Sequence, residues 1–239
     1  MRRQQRLLSA SLVLAAVAAC VICGLRTAES KTAATLEALP VTVIVDAGHG
    51  GEDGGATSVS GARESDLNLA IARRLGSLLP LCGVGTKMVR TSDCAIYDAS
   101  ARTFQEKKVS DLRNRVKLVN ETPNALLVSI HQNLFEDSRY SGAQVFYAPT
   151  GGSRKLAELL QEILIVKLDP NNRRRVKPAD TVYLLSQIHC PGILLECGFL
   201  SNPEEDRLLQ NPDYQKKLAA AAACGIVRWL EEESDTDEV

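Results

Sequence analysis

Apolar residues gather into short runs separated by stretches of helical spacing. Val41–Val45, Ala125–Ile130 and Ile193–Leu195 are brief, dense in Val, Ile and Leu, and preceded by proline, asparagine or glycine. Such runs suit strands buried on both faces. Thr86–Arg90, Gln144–Tyr147 and Thr181–Leu185 are further strand candidates. Leu67, Ala70, Ile71, Leu75 and Leu78 recur mostly at three- and four-residue steps, which predicts an amphipathic helix capped by Ser65 or Asp66 and running to about Leu79. A second helix is expected from Ser110-Asp111, with Leu112, Val116 and Val119 inward, Arg113, Arg115 and Lys117 mostly outward, and Pro123 beyond its end. Ser153–Lys167, 204–210 and 213–230 complete the helical pattern, and Thr91–Val109 reads as polar and irregular. Strands alternating with helices predict a single α/β domain over 41–230, its sheet mostly parallel or mixed. A linker at 29–40 precedes it and an acidic tail at 231–239 follows.

The N-terminus obeys a different pattern. Arg2, Arg3 and Arg6 precede Leu7–Leu25, nineteen residues without a charge. That suffices for a hydrophobic helix to cross a bilayer, with the arginines on the cytoplasmic side. Residues 1–28 admit three readings: an uncleaved signal anchor, favoured by the length of the run; a cleaved signal peptide; and a lipoprotein signal in which Val17-Ala18-Ala19 precedes a lipidated Cys20. Each places the remainder on the extracytoplasmic side of the membrane. The hydrophobic content of 45% over 239 residues supplies ample core, and a net charge of −1 with no basic stripe argues against nucleic acid. Of seven cysteines, Cys20 and Cys23 lie in the apolar run, and the others form no C-x-x-C pair. They read as small buried thiols rather than a disulfide framework or structural zinc site.

Candidate chemistry lies where the strands end. After Val45 the chain reads DAGHGGEDGGA, with five glycines, His49, Glu52 and Asp53 following Asp46. Neither G-x-G-x-x-G nor G-x-x-x-x-G-K is present, so phosphate cradling is not indicated. Asp46 either orients His49 or only starts the turn. His131 follows Ile130, Glu196 follows Leu195, and Glu64 opens the first helix. If the three buried strands are parallel neighbours, their carboxyl ends bring these side chains together. Two imidazoles and a carboxylate suffice as protein ligands for catalytic zinc, and a further carboxylate supplies the general base of metal-assisted hydrolysis. Glu64 is available for the first role and Glu196 for the second.

The segments IVDAGHGGEDGGA, ESDLNLAIARRL, LRNRVKLVNE, LLVSIHQN, SGAQVFY and PGILLECGFLSNPEE resemble the zinc-dependent N-acetylmuramoyl-L-alanine amidases of the type 3 family, from Val41 to about Trp229. The resemblance implies a sheet covered by helices on both faces, Zn2+ bound by His49, Glu64 and His131, and Glu196 as catalytic residue. The bond cut would join N-acetylmuramic acid to the L-alanine of the peptidoglycan stem peptide. SGAQVFYAP, TVYLL and ECGFLSNPEE, with the single N-terminal hydrophobic segment, are similar to the germination-specific amidases of spore formers, which act before muramic-δ-lactam is made in the cortex. A vegetative wall amidase is the alternative. A zinc carboxypeptidase and a non-catalytic peptidoglycan-binding protein are the rivals from other classes.

The short connections between His131 and Glu196 leave little room for the inserted helix that blocks zinc in some relatives, so control by a protein partner or by timing of expression is expected. Two departures stand out: Gln132 before Asn133, and Arg175 where the family commonly has glycine. Arg173–Arg175 and Lys177 read as a solvated basic loop in preference to a site for stem-peptide carboxylates. A metal site at His189-Cys190 is disfavoured, and Cys197 is expected to face away from Glu196.

Overall fold

The computed structural model describes residues 39–237. Leu7–Leu25, most of the linker and the last two residues lie outside the described residues. Among those described, no helix is long and apolar enough to cross a membrane. The elements in chain order are β1 (Leu39–Ala47), α1 (Glu64–Leu78), a 3-10 turn (Leu79–Cys82), β2 (Val84–Met88), α2 (Phe104–Asn120), β3 (Ala125–Asn133) and β4 (Gln144–Tyr147). There follow α3 (Ser153–Lys167), β5 (Lys177–Pro178), α4 (Tyr183–Gln187), β6 (Gly192–Phe199), α5 (Pro203–Gln210) and α6 (Pro212–Asp237). They form one mixed six-stranded sheet in the order β2-β1-β3-β6-β4-β5. The first four strands of that order are parallel, and β4 runs antiparallel to β6.

Alternation along the central strands builds two cores. Val43, Val45, Val128, Ile130, Leu195 and Cys197 pack on one face, with Ile71 and Leu75 of α1, Leu160 of α3 and Ile226 of α6. Ile44, Leu127 and Leu194 point to the other face, among Val119, Leu184 and Leu185 of α2 and α4. Cys197 thus faces away from Glu196, as the two-residue period requires.

Several boundaries differ from expectation. Thr181–Leu185 is no strand: α4 begins at Tyr183, and Leu184, Leu185 and Ile188 are all buried in one cluster, a spacing one helical face can satisfy and one strand face cannot. α2 starts at Phe104 rather than Ser110, because Thr103 and Glu106 form a reciprocal capping box. In α1 neither Ser65 nor Asp66 is the cap: the N–H groups of Glu64 and Ser65 donate to the carbonyls of Ala56 and Gly54 at 2.9 and 3.0 Å, so loop backbone satisfies the helix start. β2 begins at Val84, and α6 continues to Asp237 through most of the expected acidic tail.

Candidate active site

β1, β3 and β6 lie side by side and parallel, with Asp46 opposite Ser129 and His131 opposite Glu196. Their neighbours Val45, Ile130 and Leu195 enter the opposite core. All four polar side chains therefore stand on the α2–α4 face, near the carboxyl edge. His131 and Glu196 lie inside β3 and β6 rather than just beyond them. A cavity of about 200 Å³ opens there, lined by His49, Asp53, Arg115, Ser129, His131 and Tyr183 among others.

Glu64, the first residue of α1, divides its carboxylate between the two histidines. Oε1 lies 3.0 Å from His131 Nδ1 and accepts from Gln132 N–H at 3.2 Å. Oε2 lies 3.3 Å from His49 Nε2 and accepts from Ala56 N–H at 2.9 Å. His49 Nδ1 is 3.0 Å from Asp53 Oδ2. Among the described residues, His49, Glu64 and His131 form a group whose ligand atoms all lie within 4.8 Å of one another, close enough to hold a metal ion.

Close packing explains two of the glycines. A Cβ on Gly48 would sit 2.2 Å from the His131 ring, and one on Gly55 (φ +68°) would sit 2.6 Å from Glu64 Oε2. His49 itself has φ +61°, a left-handed conformation that costs a non-glycine residue about 1–3 kcal/mol and needs support from its surroundings. Two buried arginines give that support. Arg90 donates to the carbonyls of Ala47 and Gly48 at 2.8 and 3.0 Å. Arg115 donates to those of Ala47 and His49 at 3.0 and 2.8 Å. The backbone carbonyls of the turn are thus satisfied without water.

Arg115 reverses the expectation of an outward side chain. It is 2% exposed, ion-paired with Asp46 and Asp111, because positions 111, 115 and 119 share the buried stripe of α2. Among the described residues Asp46 forms no hydrogen bond or ion pair with His49. It accepts from Ser129 Oγ at 2.6 Å and pairs with Arg115. Burial works against its charge, but Arg115 and Ser129 prevail and hold its carboxyl below the usual carboxylate range.

The electrostatics separate the two glutamates. Burial opposes ionisation of Glu64, yet hydrogen bonds and charge from His131 and His49 lower its pKa strongly. Burial likewise opposes charge on His49, and Glu64 and Asp53 overcome it and raise its pKa. For Glu196 burial prevails over the charge of His131 and His49 and pushes it up to about 7, and its Oε2 has no hydrogen-bond partner among the described residues. One carboxylate is fixed as an anion beside two imidazoles, and the other is poised to exchange a proton near neutrality.

The profile of a family described as N-acetylmuramoyl-L-alanine amidase matches residues 43–228. The chain belongs to this amidase family. It is 38% identical over 197 residues to the germination-specific N-acetylmuramoyl-L-alanine amidase of Bacillus subtilis (strain 168), covering 82% of each chain. The CwlD amidase from Clostridioides difficile, solved in complex with the GerS lipoprotein, matches at 40% identity and a TM-score of 0.77, over 80% of this chain and 98% of that one. The N-acetylmuramoyl-L-alanine amidase from Clostridium difficile 630 matches at 31% identity and a TM-score of 0.70, over 81% and 98%.

All four predicted site residues of the amidase come to one edge of the sheet. His189 is exposed and Cys190 half-buried, and neither joins a potential metal group among the described residues. The supporting residues Asp53, Arg90, Arg115 and Asn68, whose side-chain amide donates to the Gly48 carbonyl at 3.2 Å, are the ones sequence reasoning missed. For Arg115 a signal exists: Asp111 precedes it by four residues on a helix whose Val119 is expected inside.

Proposed function

We propose that His49, Glu64 and His131 hold a catalytic zinc ion and that Glu196 is the general base of the amidase. The observation that carries this reading is the approach of three donors to within 4.8 Å, on the face where the half-buried Glu196 has a buried oxygen without a partner. The donor set suits zinc, since two imidazoles and one carboxylate leave a position open for chemistry. The Asp53 contact to His49 Nδ1 is the outer support such a ligand needs, fixing the tautomer so that Nε2 is the free ligand atom. When bound, zinc would polarise the scissile carbonyl and acidify the attacking water.

Glu196 then takes the water's proton and passes it to the leaving nitrogen of L-alanine. His49, Glu64 and His131 would hold the metal beside the scissile bond, and the N–H groups of Ala56 and Gln132 keep the Glu64 carboxylate oriented.

The similarity to a germination-specific amidase supports action on the peptidoglycan of the spore cortex, ahead of muramic-δ-lactam formation. Arg2, Arg3, Arg6 and the apolar Leu7–Leu25 support export, with the domain on the extracytoplasmic side and the cytoplasmic membrane as its anchor. The complex of the similar CwlD amidase with the GerS lipoprotein supports regulation by a protein partner here too. Mass spectrometry of digested peptidoglycan tests the chemistry. Free L-alanine amino termini should accumulate, cease with a chelator and return with zinc. Release of C-terminal residues from the stem peptide, or hydrolysis indifferent to chelation, would overturn it.

A further inference from the structure

The row of side chains running from His131 to Glu196 continues onto the next strand. β4, antiparallel to β6, sets Gln144 opposite Glu196. Directly opposed residues of such a pair share a face, with Cα atoms about 5 Å apart. Gln144 is buried, and its Oε1 accepts from Arg174 Nη1 at 3.1 Å. Arg174 Nε donates to the Ser141 carbonyl at 2.7 Å. Its Cζ lies 4.3 Å from the centroid of the Phe199 ring and 5.6 Å from that of Tyr140. The expected solvated loop is therefore solvated only in part: Arg173 and Arg175 are exposed, whereas Arg174 is half-buried and locked in place.

These contacts orient a guanidinium without neutralising it. Among the described residues Arg174 forms no ion pair, and its Nη2 has no acceptor. Glu205 adds favourable charge from nearby, but its two oxygens accept from Gly142 N–H and Phe199 N–H at 2.8 and 2.7 Å. Burial opposes the charge of Arg174, which makes an incoming anion welcome. A planar fork stacked on aromatic rings, with donors to spare, is the usual receptor for a carboxylate.

We propose that Arg174, held by Gln144 and stacked on Phe199 and Tyr140, binds a free carboxylate on the residue that follows L-alanine in the substrate. The carboxyl of muramic acid is consumed in the scissile amide, so the peptide is the side that offers carboxylates. One residue spans about 3.5 Å of chain, comparable to the single strand spacing between Glu196 and Gln144. The assignment rests on Glu196 marking the reaction centre.

The test uses the 239-residue chain loaded with zinc, and two soluble muropeptides differing only in whether that carboxylate is free or amidated. The unmodified enzyme should prefer the free acid by roughly tenfold in kcat/KM, the effect of one ionic hydrogen-bonded contact. Arg174→Gln should bring the ratio towards one through a higher KM for the free acid, and Arg174→Lys should restore part of the preference. An equal loss on both substrates would make Arg174 purely structural and overturn the proposal, as would an unchanged ratio. Equilibrium binding of the free acid to Glu196→Gln, against the Glu196→Gln/Arg174→Gln double variant, separates the subsite from catalysis. A comparable loss of affinity supports the subsite even if Glu196 proves dispensable for turnover. Equal affinity overturns the subsite and leaves the catalytic reading intact.

Discussion

Replacing Arg115 with methionine removes the cation from the most enclosed ion pair in the domain. Its side chain is 2% exposed and that of Asp46 1%, so the carboxylate left behind cannot be rescued by water. Breaking a buried pair in this way costs about 3–5 kcal/mol. The carbonyls of Ala47 and His49 also lose a donor. In a domain of this size each kcal/mol moves Tm by about 2–4 °C, so a fall on the order of 10 °C is expected at pH 7. Adding Asp46→Asn should recover part of the loss, because the uncompensated charge then disappears. The deficit should also depend on pH. With Arg115 present, the depressed Asp46 pKa gives stabilisation that persists above the ordinary carboxylate value and is lost as pH falls through the lower folded value. Without Arg115, burial raises Asp46, so the variant takes up the proton earlier and the gap narrows on acidification. Thermal unfolding followed by circular dichroism between pH 3 and 8 measures all of this. An Arg115→Met variant within about 1 kcal/mol of the parent, or full additivity in the double variant, would refute the reasoning.

Gly48→Ala should weaken zinc binding by at least about tenfold, since its Cβ would meet the His131 ring at 2.2 Å, while overpacking costs about 1–3 kcal/mol of stability; competition with a fluorescent chelator reads the first and thermal unfolding the second. In metal-free protein the folded state keeps the Glu196 proton up to about pH 7, so Glu196 favours folding less as pH rises from its unfolded value through 7. Glu196→Gln should accordingly raise Tm more at pH 8 than at pH 5, and an equal shift at both would deny the raised pKa. Thr103→Ala removes half of the capping box and should cost about 1 kcal/mol, measurable as a lowered denaturant midpoint.

The sequence carried the central strands clearly, because β1, β3 and β6 are dense apolar runs whose composition has few other uses. The four candidate side chains were legible too, each at or near the end of such a run or at the first residue of α1. What it did not carry depends on partners distant in the chain. Arg115 looks like one more surface cation until Asp46, 69 positions away, is folded against it. Arg174 likewise sits in a basic loop and acquires meaning only when β4 brings Gln144 beside Glu196. α4 reads as a strand because Thr181–Leu185 is short and β-branched at its start, and only the shared burial of Leu184, Leu185 and Ile188 distinguishes the two. The start of α2 is legible in Thr103-x-x-Glu106, but the polar stretch around it masks the capping pair.

The central claim is that Glu196 moves protons beside an ion held by three other side chains. Glu196→Gln, assayed for bound zinc and for release of L-alanine amino termini on the same preparation, tests it most directly. About one equivalent of zinc should be retained while kcat falls by roughly 10²–10⁴-fold. Undiminished turnover, or loss of the metal along with activity, would contradict it.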